Sequence, residues 1–390
     1  MKRDDNTLPI LSQSGFSLVE LLVYMVILSV LMALITVSFT QTARQSARQS
    51  GIAETQIETG VGLELLRSDL ESAGFGLPWG PDDATFPGYG EPGPLGGVGV
   101  PSALNGVDLS ADSQNTADYL VIRATSVIRD PAGQRWGWLG FDASGTLRID
   151  SLSREPLDND WVIALRTNIS AANTRSLETD VSGVFGFHAN AANLEAIAPA
   201  PTINDPDGER LLLYAIADKT TAAISRPFNR IDYYIQPGGE VPSRCAPGTR
   251  TLSQRQLNQT DGNFSSPQPV VDCVADFQVV FFLDTDEDGG WDQRVNANGL
   301  AGLNAAQIRN RVKEVRCFIL LHEGGEDRSY THPTANVNVG VTDANGNLEI
   351  ADDGSGPLGR QFNLAASIGP NWANYRWKVV NLTVNLKNLR

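Results

Sequence analysis

Gly15-Phe16-Ser17-Leu18-Val19-Glu20, followed by the apolar run from Leu21 to Phe39, is the stretch on which the reading of this chain turns. From Phe16 to Phe39 there are 24 positions and one charge, Glu20. At 1.5 Å of helical rise per residue the stretch is long enough to cross the roughly 30 Å hydrocarbon core of a bilayer. A secretory signal is cut behind its hydrophobic region, at small residues; here the small residue, Gly15, stands in front of it. The preceding segment carries Lys2 and Arg3 but also Asp4 and Asp5, and Arg44 and Arg48 lie beyond the far end. Charge therefore gives only a weak orientation signal. Glu20 needs its own account, because an ionised carboxylate inside a membrane helix costs about 2.5–3.5 kcal/mol on insertion scales and usually has a partner.

The register of Gly15, Phe16, Ser17, Leu18, Val19 and Glu20 resembles the N-terminal motif of type IV prepilins. That resemblance implies a leader over residues 1–15, cleavage by a prepilin peptidase between Gly15 and Phe16, and N-methylation of Phe16. It also implies a transmembrane half-helix over 16–39, an amphipathic half-helix over 40–75 and a head over 76–390. Cleavage would give Phe16 a free amine, largely cationic at neutral pH with a reference pKa of about 8. In the family the carboxylate corresponding to Glu20 is matched to the terminal amine of a neighbouring subunit during assembly. The competing reading is a plain signal anchor that tolerates one acidic residue.

Beyond the apolar stretch, Ile52, Ile57, Val61, Leu65, Leu66 and Leu70 recur at near-helical spacing among polar residues, which predicts an apolar stripe facing a globular body. No proline interrupts residues 16–77, Gly51, Gly60 and Gly62 are soft points, and Gly74, Gly76 and Pro78 form the stop signal. The segment Leu65-Leu66-Arg67-Ser68-Asp69-Leu70-Glu71-Ser72-Ala73-Gly74-Phe75 is similar to the helix end of PilW-type minor pilins and related pseudopilins. Weaker similarities to that family lie at Ala117–Arg123, Arg230–Ile235, Val274–Asp284 and Tyr375–Arg390.

Acidic residues outnumber basic ones 45 to 30, a net charge of −15, and no run of Lys and Arg exists, so a nucleic-acid partner is not indicated. The region after the helix is rich in β-branched and aromatic runs: Tyr119–Val127, Trp136–Phe141, Trp161–Arg166, Leu211–Ile216, Arg230–Ile235, Val274–Leu283, Val312–Leu321 and Trp377–Leu386. The expected fold class is α+β, a long N-terminal helix bearing a large β-rich head. Residues 142–145 and 343–346 read as hairpin turns, residues 80–116 as a long loop, and an irregular stretch near 190–210 as a division between two subdomains.

Three cysteines allow three alternative single bridges. Cys245–Cys273 is the expected one, with Cys317 buried; the alternative leaves Cys273 and Cys317 as buried thiols on paired strands. Asp284, Asp286 and Asp288 alternate ahead of Gly289, with Gly290 and Asp292 beyond, as in the first half of a calcium loop. The twelfth position is Val295, so the alternative is an acidic turn at a strand end. No cofactor is required; Ca2+ is the one candidate.

Catalytic patterns are weak. Gly88, Gly90 and Gly93 fit G-x-G-x-x-G, but prolines interrupt them and no helix follows; His188, His322 and His332 are isolated, and Trp136 and Trp138 on one strand face read as core or as a sugar contact. The PilW resemblance implies a non-enzymatic minor pilin that primes type IV pilus assembly at or near the filament tip. Its expected partners are the prepilin peptidase, other minor pilins, the major pilin and a tip adhesin. Its expected location is the bacterial inner membrane with the head in the periplasm, then the pilus. Two alternatives remain open: a type II secretion pseudopilin of the J kind, and a pilus-displayed adhesin or ligand-binding module.

Overall fold

The computed structural model describes residues 17–78, 90–93, 95–96, 102–127, 130–141, 144, 147–150, 154–168, 174–180, 183–195, 197–198, 210–218 and 223–389. The chain divides into two compact units, Met1–Ile52 and Ala53–Arg390, and one helix, α1 (Leu18–Ser72), contributes residues to both. Its 55 residues contain no proline, and Gly51, Gly60 and Gly62 all stay helical. It stops where predicted: Gly74 and Gly76 adopt φ of 81° and 71°, a region open mainly to glycine, and the Gly74 amide donates to the Arg123 carbonyl at 2.9 Å.

In the first unit every described residue from Ser17 to Ser50 is exposed, including the whole apolar run. Three hydroxyls in or just after that run bond back along the helix. Ser29 Oγ donates to the Val26 carbonyl at 2.8 Å, Thr36 Oγ1 to Met32 at 2.8 Å and Thr40 Oγ1 to Thr36 at 3.0 Å. Bonding of this kind lowers the cost of placing a hydroxyl in an apolar surrounding.

The second unit is built on antiparallel sheets. After α1 the chain forms β1 (Leu104–Val107) and β2 (Tyr119–Ala124), which pair with each other. It then leaves for β3 (Trp136–Phe141), β4 (Leu147–Asp150), β5 (Trp161–Asn168), β6 (Thr174–Leu177), β7 (Thr179–Asp180), β8 (Phe187–His188), β9 (Ile197–Ala198) and β10 (Arg210–Ala217). It returns as β11 (Asn229–Ile235), pairing with β2, and continues through β12 (Arg250–Gln256), β13 (Gln268–Leu283), β14 (Gln293–Asn296) and β15 (Val312–Glu323). A hairpin, β16 (Asn336–Gly340) and β17 (Gly359–Asn363), precedes the last strand, β18 (Arg376–Asn385). Among the described residues the main sheet runs β1-β2-β11-β12-β13-β15-β18, with β14 on β13; a second runs β4-β3-β10-β5-β6, with β8 on β5.

The second sheet is thus an excursion between neighbouring strands of the first. The division expected near 190–210 is corrected accordingly: β8 and β10, on either side of it, both pair with β5. The long loop expected over 80–116 is also corrected in part, since β1 lies within it and Glu91 is fixed to the main sheet. Each of the eight expected strands is present, with ends shifted by a few residues.

Central strands β13 and β15 are buried on both faces, which explains their unbroken apolar runs. Phe277, Val279, Phe281, Ile319 and Leu321 point toward α1 and join Leu66 and Leu70 in the principal core. Val280, Phe282, Phe318 and Leu320 point the other way and are covered by Val339 and Phe362 of the β16–β17 hairpin. Period-two alternation sends successive side chains to opposite faces.

The helix face buried in this unit coincides with the predicted apolar stripe at Leu66 and Leu70, with Ile52 and Leu65 half-buried, but not at Ile57 and Val61. Thr55, Thr59, Gly62, Leu66, Asp69 and Leu70 are buried, whereas Ile57 and Val61 are 69% and 68% exposed. The reason is distance: a Cβ on Gly62 would lie 2.2 Å from the Val270 carbonyl oxygen, so the backbones approach too closely for large side chains. Small residues set this face, with Leu66 and Leu70 entering where the gap widens.

Candidate functional site

Glu20 occupies the first turn of α1 and is exposed, as are the apolar residues after it. An acidic group suits a helix N-terminus, where backbone amides lack partners. The expected cleavage pair, Gly15 and Phe16, lies outside the described residues. What the structure shows is a helix carrying one carboxylate on an unpartnered apolar surface, and whose other end is fastened into a folded head.

That fastening has two parts. At the upper end of the buried face, Thr55 Oγ1 accepts the Gly324 amide at 3.2 Å, and the Arg244 guanidinium reaches Glu58, Glu54 at 3.7 Å and Asp272 at 3.5 Å. Arg244 is held by its neighbour Cys245, which is disulfide-bonded to Cys273 of β13; Cα atoms 28 residues apart in sequence come within 4.9 Å. Cys317 is a free, fully buried thiol whose pKa burial drives upward, so it is inert. Beside the bridge, His322 Nε2 accepts the Ala246 amide at 2.8 Å and Nδ1–H donates to the Gly324 carbonyl at 3.1 Å. These bonds fix the neutral tautomer. Burial is the main cause that lowers its pKa, to about 4, aided by Arg244 and opposed by the Gly324 carbonyl.

At the lower end, the motif from Leu65 to Phe75 locks the helix to both sheets. Leu66, Leu70 and Ala73 are fully buried. The Tyr233 hydroxyl of β11 donates to the Asp69 carboxylate at 2.5 Å. Gly74 gives way to Leu389, whose Cδ2 lies 2.3 Å from where a Cβ would sit. Phe75 accepts the Thr125 amide at 2.8 Å and sets its ring edge-on to Tyr214 of the second sheet, centroids 5.1 Å apart.

The acidic turn after β13 brings Asp284, Asp286 and Asp288 together, with ligand-capable oxygens within 4.8 Å of one another. Asp284 is buried and already engaged: Oδ1 accepts the Asp288 amide at 3.1 Å, while Oδ2 accepts the Gly289 amide at 2.9 Å and pairs with Lys313 Nζ at 3.1 Å. Burial opposes its ionisation, but Lys313 and the two amides outweigh that and hold the carboxyl below its ordinary range. Asp292 accepts from Thr285, and the Gly290 amide donates to Asp288. A divalent cation at Asp284 would take the place of the Lys313 ammonium, so the two compete for one carboxylate.

A buried charge cluster lies at the β2–β11 junction. Arg123 and Arg230 share the Glu91 carboxylate at 2.7 and 2.9 Å, and Arg230 also holds Asp232 at 2.6 Å. The Arg-x-Asp spacing in β11, which puts both side chains on one strand face, was the available clue. Removing one member would leave a buried charge unpaired. The other flagged residues do not converge. Trp136 packs against the principal core and stacks with Tyr214, His188 lies against Trp161, and the described part of the glycine run, Gly90 and Gly93, precedes no helix.

A long, exposed apolar helix segment in a chain that also carries a β-rich unit is the arrangement expected of prepilin-like pilins. Residues 232–388 match the family Type IV Pilus-assembly protein W, and residues 10–36 match the Prokaryotic N-terminal methylation motif, so the chain matches a PilW-family, prepilin-like pilin. The first match contains every strand from β11 to β18 except a few terminal residues; the second sheet lies outside it. No curated protein and no solved structure matches the chain. The matched families are pilus structural and assembly proteins rather than enzymes, and they imply contact with pilus components and the prepilin peptidase.

Proposed function

We propose that this chain is a minor pilin that primes type IV pilus assembly at or near the filament tip. It is processed between Gly15 and Phe16, methylated at Phe16, and held in the inner membrane with its head in the periplasm before extraction into the filament. One observation carries the reading: a helix with an exposed apolar half and a lone carboxylate, Glu20, runs on into turns buried in a PilW-type head. An apolar helix surface that is exposed along its length suits an element that passes from lipid to the packed helices of a filament. The Glu20 charge then needs the amine of an adjoining subunit only when subunits meet.

Other minor pilins, the major pilin and a tip adhesin are the proposed partners. The test is replacement of the chromosomal gene by one encoding Glu20→Val. The variant should insert and be cleaved as the wild type is, but surface pili should fall by at least about tenfold, the equivalent of about 1.4 kcal/mol per assembly step. Normal piliation by Glu20→Val contradicts the pairing. Normal piliation with lost protein secretion, in a strain lacking the gene, moves the chain to a type II secretion pseudopilin.

A further inference from the structure

A cavity of about 380 Å³ opens where three parts of the second unit meet: the helix stop at Gly74 and Gly76, one face of the second sheet, and the segment that follows β18. Its volume lies at the lower end of small-ligand sites. Phe75, Trp136 and Leu212 form an apolar wall, and each is only half-buried, so part of every one of these side chains stays open. Arg175 of β6, also half-buried, and the exposed Lys387 supply positive charge. No carboxylate lines the cavity, although acidic residues outnumber basic ones in the chain.

The fold sets both cations in place. Arg175 lies opposite Thr167 in the β5–β6 pairing, and its Nη1 donates to the Tyr214 hydroxyl at 3.4 Å. Tyr214 is itself fixed between Trp136, stacked at 6.4 Å, and Phe75, edge-on at 5.1 Å. Burial raises the Tyr214 pKa against the opposing pull of Arg175, so the hydroxyl stays neutral and leaves the guanidinium charge uncancelled. Lys387 stands between two tethered residues: the Leu386 amide donates to the Lys313 carbonyl at 2.9 Å, and Asn388 Nδ2 donates to the Glu71 carbonyl at 2.7 Å. A third cation, Arg309, lies close enough to Arg175 that the charge of Arg175 adds to burial in lowering the Arg309 pKa. Like charges held together at a cleft with apolar walls favour an anion beside them.

A ligand that fits must bring one anionic group to Arg175 and Lys387 and lay an apolar body along Phe75, Trp136 and Leu212. A guanidinium matches a carboxylate through parallel N–H donors, while an ammonium adds a point charge. A bare inorganic anion would leave the apolar wall unused. We propose that this cavity binds an organic carboxylate with an aromatic or aliphatic side group, as a free acid or as the C-terminal residue of a polypeptide. Trp136, Arg175 and Leu212 belong to the second sheet, outside the PilW match, so the family-matched strands alone do not build the site. The proposal goes beyond the assembly role and does not rest on it: a chain that fails to enter a filament still carries the cavity.

The test uses the full chain in a neutral detergent and phosphate-free buffer. Saturation-transfer NMR titrations are run with phenylpropionate and isocaproate as free acids, and with short peptides ending in Phe or Leu, each with a free or an amidated C-terminus. At least one carboxylate should bind, in the first arm for a free acid or in the second alone for a chain terminus. The matching amidated peptide should bind at least about tenfold more weakly, the equivalent of a lost hydrogen bond between charged groups. Arg175→Gln should weaken the carboxylate ligand by at least the same factor. Because Arg175→Gln also alters the bond to Tyr214, Lys387→Glu provides a second probe: from an exposed position it brings a negative charge to the cavity, and it should abolish the signal. Inorganic phosphate at equal concentration should not displace the ligand. No signal from wild type with any carboxylate overturns the proposal, as does amidated peptide bound as well as the acid. A signal unchanged in both variants, or displaced by equal phosphate, overturns it equally, because the ligand then binds elsewhere or as a bare anion.

Discussion

The two halves of α1 reverse the usual relation between hydropathy and burial. From Leu18 to Phe39 the residues are almost all apolar and every one is exposed. From Thr55 to Leu70 the buried positions are two threonines, a glycine, an aspartate and two leucines, while Ile57 and Val61 face outward. The difference lies in what each half packs against. Among the described residues the first half is exposed along its whole length. The second half lies against β13 so closely that side-chain size decides which residues face inward, and its polar groups are satisfied locally: Thr59 Oγ1 donates to the Thr55 carbonyl at 2.7 Å, and Asp69 takes the Tyr233 hydroxyl.

The contrast breaks most severely at Gly62. A Cβ there meets the backbone of Val270 at 2.2 Å and Val271 Cγ2 at 2.7 Å, and a strand backbone cannot yield cheaply. Gly62→Ala should destabilise the second unit by about 3 kcal/mol, the upper end of overpacking costs, measured by chemical denaturation of the detergent-solubilised chain. Wild-type stability in Gly62→Ala would mean that the helix does not pack this closely.

At the upper fastening the sharper probe is pH. The unfolded pKa of His322 is near 6.5 and the folded one about 4, so the native state disfavours the proton. Its contribution to stability is therefore complete above pH 6.5 and is lost as pH falls from 6.5 through 4. At pH 5 the loss is about 2 kcal/mol. Denaturation at about pH 7.5 and about pH 5 should show this difference, and His322→Gln should reduce it. A wild type equally stable at both values removes His322 from the account.

Gly60 is the counterpart of Gly62, two residues away on the open side, where a Cβ would meet nothing within 4 Å. Gly60→Ala should stabilise the chain by about 0.5–1 kcal/mol through helix propensity alone. Opposite signs at 60 and 62 are the signature of a helix with one closely packed face; equal signs would erase it.

The smallest expected effect concerns the acidic turn. Lys313 and calcium compete for Asp284, so Lys313→Gln should show a larger rise in melting temperature between chelator and millimolar calcium than the wild type does. Equal melting in both conditions for both proteins leaves a turn neutralised by Lys313 without a metal.

Much of this architecture was legible in the sequence because period and punctuation agreed with the final packing. The helix stop at Gly74, Gly76 and Pro78 and the runs in β13 and β15 are of that kind, since doubly buried strands read as continuous apolar stretches. Strand β12 was not legible: Arg250-Thr-Leu-Ser-Gln-Arg-Gln256 offers one large apolar side chain, yet Thr251, Leu252 and Ser253 are buried between β11 and β13. The inward face of α1 was misread at Ile57 and Val61, though not at Leu66 and Leu70, for a related reason: a hydropathy stripe carries no information about how closely a sheet will approach. The place of Glu20 at the helix start was legible from its motif, whereas Arg123, Glu91, Arg230 and Asp232 were hidden because charged residues far apart in sequence do not announce that they will be buried together.

The central claim, that the exposed half of α1 is a retained assembly element and not a discarded signal, is tested most directly by mass determination of the mature N-terminus. The chain should begin at Phe16 carrying one added methyl group. A chain beginning after Phe39, or one still beginning at Met1 in a strain with active prepilin peptidase, would contradict it.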